Sequence, residues 1–505
     1  SLMEIDNYSR IVPCIAESYT TNEDKSVWTF QIRDGVKWVD VKGNEKADCT
    51  SQDFATAMEW ILNFHKNESS QTSDFLIMLE GANEYYEYTK TLSEEEAFAL
   101  TADEGSVFKE MVGVETPDAN TLIYRCIGSR PYWDSLSTCL WPMSQAMVDE
   151  LGGPAGVKAM NNENMWYNGC YTMTSYIQGN EKVFTKNESY WDAENVNLDT
   201  ITYSIMNDEN AIYNSFSNAS IDSCGCIVRE WMDRFEQMDN VEYLHYTSPS
   251  VRFNFYNTTD ELFQNKNIRN AFTLALDRED VVEVIYNGTM APAYGWVPDG
   301  VTTGEQGNYR EQFEAPLQTM YEEGLDPKEL LLTGMEELGL GSDPSTLEVT
   351  LSFGDTSQWM RNYGEYYQQT FKDVLGVTVV LDFNEWGTFN QKVMDGDYQM
   401  GYMAWSIDYN DPYAMLNVMR SDSGNINTGW VSEEYDSLLD QAAVEMDEAK
   451  RVELYKQAET LLFEEGPLCP VVNEAANTFR YTYIKNANTM PFTSTGLKYA
   501  YVSGR

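Results

Sequence analysis

The chain has 505 residues, which is too long for a single core and suggests roughly three domains; 42% hydrophobic and 13% aromatic residues supply the material for packed interiors. Against 81 Asp and Glu stand 33 Lys and Arg, and the resulting net charge of −48 repels phosphate backbones and argues against nucleic-acid partners. No apolar run reaches the roughly 18 residues needed to span a membrane, and Ser1–Thr20 lacks the basic start and apolar block of a secretion signal.

In chain order the pattern is mixed α/β. Val27–Ile32 places Trp28, Phe30 and Ile32 on one face at period two, and a turn at Asp34–Gly35 leads into Val36–Trp38, which reads as a hairpin. Thr50 and Asp53 have capping-box spacing, with Phe54, Ala57, Met58, Ile61 and Leu62 as the apolar stripe of a helix behind them. Ile201, Tyr203 and Ile205 alternate as a strand, and Ile268–Leu276 reads as a helix ending at Asp277-Arg278. The Gly- and Glu-rich stretch Thr302–Ser345 reads as surface chain. A long helix is expected over Glu445–Glu465, with Leu454, Ala458, Leu461 and Leu462 on one face, until Gly466-Pro467 stops it. The acidic clusters Glu94–Glu96 and Glu433–Glu434 read as solvated surface, since salt screens a diffuse charge within about 8–10 Å.

Chemistry-bearing motifs are scarce. The eight cysteines stand at no metal-site spacing, and Cys224-Gly225-Cys226 has no neighbouring His or second pair to complete a zinc site, so buried free thiols are the simplest reading and no metal is expected. An even count also permits disulfides in an exported protein. The two histidines, His65 near a helix end and His245 in a strand-like run, leave little for hydrolytic triads or metal centres. Neither phosphate-binding glycine loop occurs, and no cofactor is implied.

The segment Gly401–Pro412 is different. Tyr402, Met403, Ala404, Trp405 and Ile407 form an apolar run suited to a strand buried on both faces, and Asp408 emerges where the run opens into the Asp411-Pro412 turn. On open α/β sheets such strand ends carry binding sites, so a carboxylate beside Trp405 suits a cation; the same pattern fits an Asp that caps its own turn.

Several blocks together resemble one family. WTFQIRDGVKW (Trp28–Trp38) with TSQDF (Thr50–Phe54), YWDAENVNLDTITYSI (Tyr190–Ile205) with Ile221-Asp222, FQNKNIRNAFTLALDREDVV (Phe263–Val282), APAYGWVPDG (Ala291–Gly300) and WSIDYNDPYAML (Trp405–Leu416) are similar, in order, to motifs of the extracellular solute-binding proteins of ABC importers, family 5, the peptide-binding branch. The resemblance implies a two-lobed, hinge-closing α/β fold of the periplasmic binding protein type II class with an extra inserted domain. Lobe I would comprise residues 1–43, 167–249 and 475–505, the inserted domain 44–166, and lobe II 250–474, with the hinge where the chain crosses near Pro249 and Glu474. It implies capture of peptides in the cleft between the lobes and delivery to membrane permease subunits, by a monomer that catalyses nothing. The chain would be a cell-surface lipoprotein or periplasmic, its only membrane association an N-terminal lipid anchor outside this sequence.

By the same resemblance Asp408 pairs with the ligand's α-amino group, and Trp405, Ser406 and Ile407 supply neighbouring backbone and aromatic contacts. Trp386, in NEWGTF, matches a loop near the same pocket, with a core tryptophan as the alternative. Tyr167, Asn168 and Gly169 fall where the family's chain re-enters the first lobe beside the ligand; Gly169 is also explained as a turn former. Arg252 and Asn254 open the second lobe, where Arg252 suits either a ligand carboxylate or a structural ion pair. Two departures are visible. The family pattern has a further strand and ligand-contacting loop before the position of Ser1, and Met360 and Tyr402 stand where basic residues would meet a peptide carboxylate, with only Arg361 nearby. Within this fold nickel, haem or an oligosaccharide is the alternative ligand, the last stacking on Trp28, Trp386 and Trp405. A sensory receptor and a secreted hydrolase with paired carboxylates are the alternative classes.

Overall fold

The computed structural model describes residues 1–505 except 7, 9, 67–71, 207, 304–306, 488–491 and 493–495, and the side chain of residue 73. The chain divides into two compact units: Ser1–Cys226 with Glu230–Leu244 and Thr478–Arg505, and Ile227–Arg229 with His245–Asn477.

The first unit is built around a four-stranded antiparallel sheet in the order Ala16–Thr21, Val27–Ile32, Thr121–Arg125 and Val114–Asp118. Val27–Ile32 forms as its alternation predicts, with Trp28, Phe30 and Ile32 buried. The expected hairpin does not form. Lys37–Val39 pairs instead with Glu45–Asp48, because Val27–Ile32 already has partners on both edges. Helix Ser51–Leu62 starts where the capping box places it, with the Thr50 N–H donating to Asp53 Oδ2 at 2.7 Å. Burial holds the Asp53 carboxyl up at about 6, although the Thr50 backbone works against that shift. A separate antiparallel sheet, Tyr171–Ile177, Glu181–Lys186 and Thr200–Ser204, contains the strand expected around Ile201, but Tyr203 and Ile205 are exposed. Both acidic clusters sit in first helical turns, at Glu94–Phe98 and Glu433–Val444, where carboxylates meet the positive end of the helix dipole.

In the second unit a mixed sheet runs through the parts of strands Leu468–Tyr481 and Val241–Tyr256 that belong to it (468–477 and 245–256), then Met400–Ser406, Glu348–Phe353 and Thr378–Phe383, with Ala291–Pro292 paired beside Leu468–Tyr481. Glu348–Phe353 is parallel to both neighbours, so three strands end on the same side, at Phe353, Phe383 and Ser406. The strand Met400–Ser406 is buried only through Met403; Ala404 and Ser406 are exposed and Trp405 half-buried, so the expectation of burial on both faces holds for its first half alone. Gly401 lies opposite Phe255, and a Cβ there would stand 2.3 Å from the Phe255 ring.

The arginines of the 263–282 block are structural anchors. Arg269, 3% exposed, donates to the carbonyls of Phe263, Gln264 and Glu465; Arg278, 1% exposed, donates to those of Thr273, Leu276, Ala293 and Pro470 and to the Tyr321 hydroxyl. Helix Lys266–Leu274 ends before this second arginine, which opens the next helix, Arg278–Tyr286, behind the cap Asp277. The stretch 302–345 is not merely surface chain: it contains helices Pro316–Glu322 and Pro327–Glu337, whose Leu317, Leu331 and Met335 are buried. Helix Glu448–Glu465 buries Val452, Tyr455, Ala458, Glu459, Leu462 and Phe463 rather than a stripe through Leu454 and Leu461, and ends on Gly466 at φ 63°.

All eight cysteines are free thiols. His245 shares a 3.0 Å hydrogen bond with Asn477, and among the described residues no group of three or more His, Cys, Asp and Glu is arranged to hold a metal.

Candidate functional site

The parallel strands of the second unit carry their carboxyl ends to one edge, the place where open α/β sheets put their sites. Three chain segments leave from that edge. After Phe383 comes Trp386, first residue of helix Trp386–Asp395; it is 56% exposed, which excludes a core tryptophan, and it packs on Phe389 with ring centroids 5.8 Å apart. After Phe353 comes Gly354, over which Trp386 lies so closely that a Cβ would stand 2.7 Å from the indole. After Ser406 comes the turn that carries Asp408.

That turn is anchored at every side of Asp408. The Ile407 N–H donates to the Pro249 carbonyl at 2.9 Å, and Ile407 is buried. Asn410 exchanges two hydrogen bonds with Thr302, both 2.9 Å. Asp411, 2% exposed, accepts from the Tyr413 N–H and the Tyr455 hydroxyl, each at 2.8 Å. Asp408 itself is exposed. An exposed carboxylate on a turn fixed by buried neighbours suits a positioned ion pair.

Beneath the turn, Ser250, Arg252 and Asn254 lie opposite Ser406, Ala404 and Tyr402. The Arg252 guanidinium pairs with Glu474 at 2.6 Å, stands 3.5 Å from the Tyr402 hydroxyl and lies 5.7 Å above the Trp359 ring. Burial alone would lower its pKa, but Tyr402, Tyr286 and Glu474 raise it, so the cation is locked. Tyr402 shares a 3.1 Å hydrogen bond with Tyr286 and packs 4.5 Å from Tyr363, while burial pushes the Tyr286 and Tyr363 phenols well above their ordinary range. Asn254 is 0% exposed, beside Tyr367 and Cys469. Met360 and Tyr402 are buried, and Arg361 lies 4.8 Å over the Phe383 ring. The sequence marks Glu474 only as a hinge position and not as a counter-ion, since nothing local links it to a partner in a distant strand.

The remaining sequence candidates belong to the first unit. Tyr167 forms a two-way bridge with Val39 and donates its hydroxyl to the Asn162 carbonyl at 2.7 Å. Asn168 points its amide at Cys49, 3.7 Å away. Gly169 has no positive φ and open space around a built Cβ, so no turn requires glycine there; its carbonyl accepts from Asn187 at 2.9 Å. Trp28 is 1% exposed with its indole N–H on the Lys25 carbonyl, which removes it as a stacking platform for sugars.

A model of the bacterial extracellular solute-binding proteins, family 5, matches residues 10–427. The chain belongs to that family. Among relatives of this solute-binding protein, the oligopeptide-binding protein OppA of Bacillus subtilis is 29% identical over 465 residues, covering 90% of this chain and 78% of the relative. The dipeptide-binding protein DppE of the same organism is 28% identical, covering 91% and 78%. In structure, the murein tripeptide-binding protein MppA of Escherichia coli superposes with a TM-score of 0.82 at 21% identity over 100% of this chain and 92% of that one. The substrate-binding domain of an oligopeptide ABC transporter from Bacillus anthracis gives 0.80 at 25% identity over 100% and 92%. The fold is thus that of the OppA- and MppA-type binding proteins, and the family's members bind substrates. No helix among the described residues is long and apolar enough to cross a membrane.

Proposed function

We propose that the chain captures peptides outside the cytoplasm and delivers them to the permease subunits of an ABC importer, acting as a monomer without turnover. The observation that carries this reading is Asp408: an exposed carboxylate on an anchored turn at the carboxyl edge of the sheet, within the WSIDYNDP motif. A peptide's α-amino group is the cation it would take. Trp405, Ser406, Ile407 and Trp386 line that approach. Arg252 and Asn254 act beneath it, the first held by Glu474; Tyr167, Asn168 and Gly169 are the ligand-binding candidates of the first unit. With Arg252 already paired, the ligand's carboxyl end relies on backbone contacts, as in strand addition.

The domain division belongs to the same proposal: lobe I 1–43, 167–249 and 475–505, an inserted part 44–166 joined to it through the sheet that pairs Val27–Ile32 with Thr121–Arg125, and lobe II 250–474. A cell-surface lipoprotein or a periplasmic protein fits this role.

The test is native mass spectrometry of purified protein to identify co-purified ligand, followed by calorimetry with free and N-acetylated peptides. Removing one partner of a desolvated pair costs on the order of 2–5 kcal/mol, so acetylation should weaken binding by roughly 30-fold or more. Equal affinities for the two forms would sink the role of Asp408.

A further inference from the structure

A second cation site lies in the first unit, well away in sequence from the 405–412 motif, and the chain fills it with its own lysine. Lys498 is 4% exposed. Its Nζ lies 5.2 Å from the Tyr190 ring, 4.9 Å from Trp191 and 4.7 Å from Tyr499, close enough for three cation–π contacts. It donates to Glu4 Oε1 at 2.9 Å and stands 3.7 Å from Asp192. Glu4 is itself 5% exposed, and the Tyr499 hydroxyl reaches both carboxylates, at 3.4 and 3.1 Å. Arg33 also packs on the cage, its guanidinium 4.0 Å over the Trp191 ring.

Such a lysine is costly to bury unless its charge is met. Burial by itself would lower the Lys498 pKa, yet Tyr190 and Glu4 raise it above the ordinary lysine value. Three π faces and two carboxylates converge on the ammonium, and they come from three stretches of chain distant in sequence: the strand Met3–Ile5, the Tyr190–Asp192 segment and Tyr499. We infer that Glu4, Tyr190, Trp191, Asp192 and Tyr499 form a primary alkylammonium site whose resident ligand is Lys498, so that the lysine clasps residues 498–499 to the strand that holds Glu4. The 2.9 Å bond to Glu4 needs an N–H, so the site prefers a primary ammonium over a quaternary one.

Lys498→Ala removes the equivalent of a propylammonium ion. Leaving the buried Glu4 and the part-buried Asp192 without their cation should lower Tm by about 5 °C. Added n-propylammonium should restore much of that in a saturable way and leave the wild-type Tm unmoved, whereas tetramethylammonium and sodium at equal ionic strength, and 1-propanol, should not. Rescue that is equal with all four additives, or absent, would overturn the inference. Should Lys498→Ala fail to fold, the wild-type protein decides: on brief acetylation in the native state, mass spectrometry should find Lys498 at least tenfold less modified than an exposed lysine such as Lys450, and comparable modification of the two would refute the cage.

Discussion

Glu459 offers the sharpest test of how the second unit holds its shape. It is 0% exposed, and its Oε1 accepts from the Trp296 N–H at 2.7 Å, the Val297 N–H at 3.0 Å and Arg310 Nη2 at 2.6 Å, while Oε2 accepts from the Tyr309 hydroxyl at 3.2 Å. Helix Glu448–Glu465 thereby fixes the APAYGWVPDG segment through one carboxylate. Glu459→Gln keeps an acceptor for both backbone N–H groups, removes the charge and turns the acceptor of the Tyr309 hydroxyl into a donor. What remains is the Arg310 side chain, 12% exposed, stripped of its close ion pair and left with the Val297 carbonyl and the more distant charge of Asp299. Breaking a buried pair from one side costs about 3–5 kcal/mol. Glu459→Ala should cost about 1–3 kcal/mol more for each backbone N–H left unmet. The assay is urea unfolding of each variant, read together with hydrogen exchange of residues 294–301, which should lose protection first. Arg310→Met should be comparably harmful, and Glu459→Gln with Arg310→Met should recover at least about 2 kcal/mol relative to additivity. A loss below about 1 kcal/mol for Glu459→Gln, or additive losses in the double variant, would refute the reasoning.

Other expectations follow from the same geometry. Asp53 keeps its proton up to about pH 6 when folded but only to about 3.9 when unfolded, so the folded state binds more protons in that window and stability falls as pH rises through it, by roughly 3 kcal/mol in all. Asp53→Asn, whose amide oxygen can still cap, should flatten that slope in urea titrations from pH 4 to 7; an unchanged slope would count against it. Arg278→Met strands the Ala293 and Pro470 carbonyls and should cost on the order of 3–5 kcal/mol by denaturant unfolding. Gly401→Ala drives a methyl into the Phe255 ring and should cost about 1–3 kcal/mol, much of it regained with Phe255→Leu.

Much of the fold was legible because it is written locally. The Thr50/Asp53 box, the period-two burial of Val27–Ile32 and the Gly466 stop each depend on residues within one element, and each appears where the pattern places it. Pairing is a different matter. Lys37–Val39 finds Glu45–Asp48 because the neighbouring strand is saturated from residues 16–21 and 121–125, which no window around Gly35 contains. The buried charges escaped for the same reason. Glu459 looks like any helix-surface glutamate until Trp296 and Arg310 arrive from more than a hundred residues away, and Arg252 meets Glu474 only across the sheet. Exposure, too, is a tertiary property: it separates Trp28 in the core from Trp386 on the surface although both stand in equally aromatic surroundings.

Asp408 and Asp411 of the 405–412 motif can be separated by experiment. For Asp408 a turn cap and a ligand carboxylate are competing readings, whereas Asp411 is a cap: its Oδ1 holds the Tyr413 N–H and the Tyr455 hydroxyl in a setting only 2% exposed. Asp411→Ala deletes the buried carboxylate that both donors share and should cost roughly 2–5 kcal/mol of stability. Asp408 is exposed, so Asp408→Ala should change stability by less than about 1 kcal/mol while weakening free-amine peptides by roughly 30-fold or more. It should leave N-acetylated peptides untouched. Paired urea unfolding and calorimetry read both quantities on the same preparations. An Asp408→Ala variant that loses stability as Asp411→Ala does, and binds free and acetylated peptides with an unchanged ratio, would make Asp408 a second cap and take the amine site out of this turn.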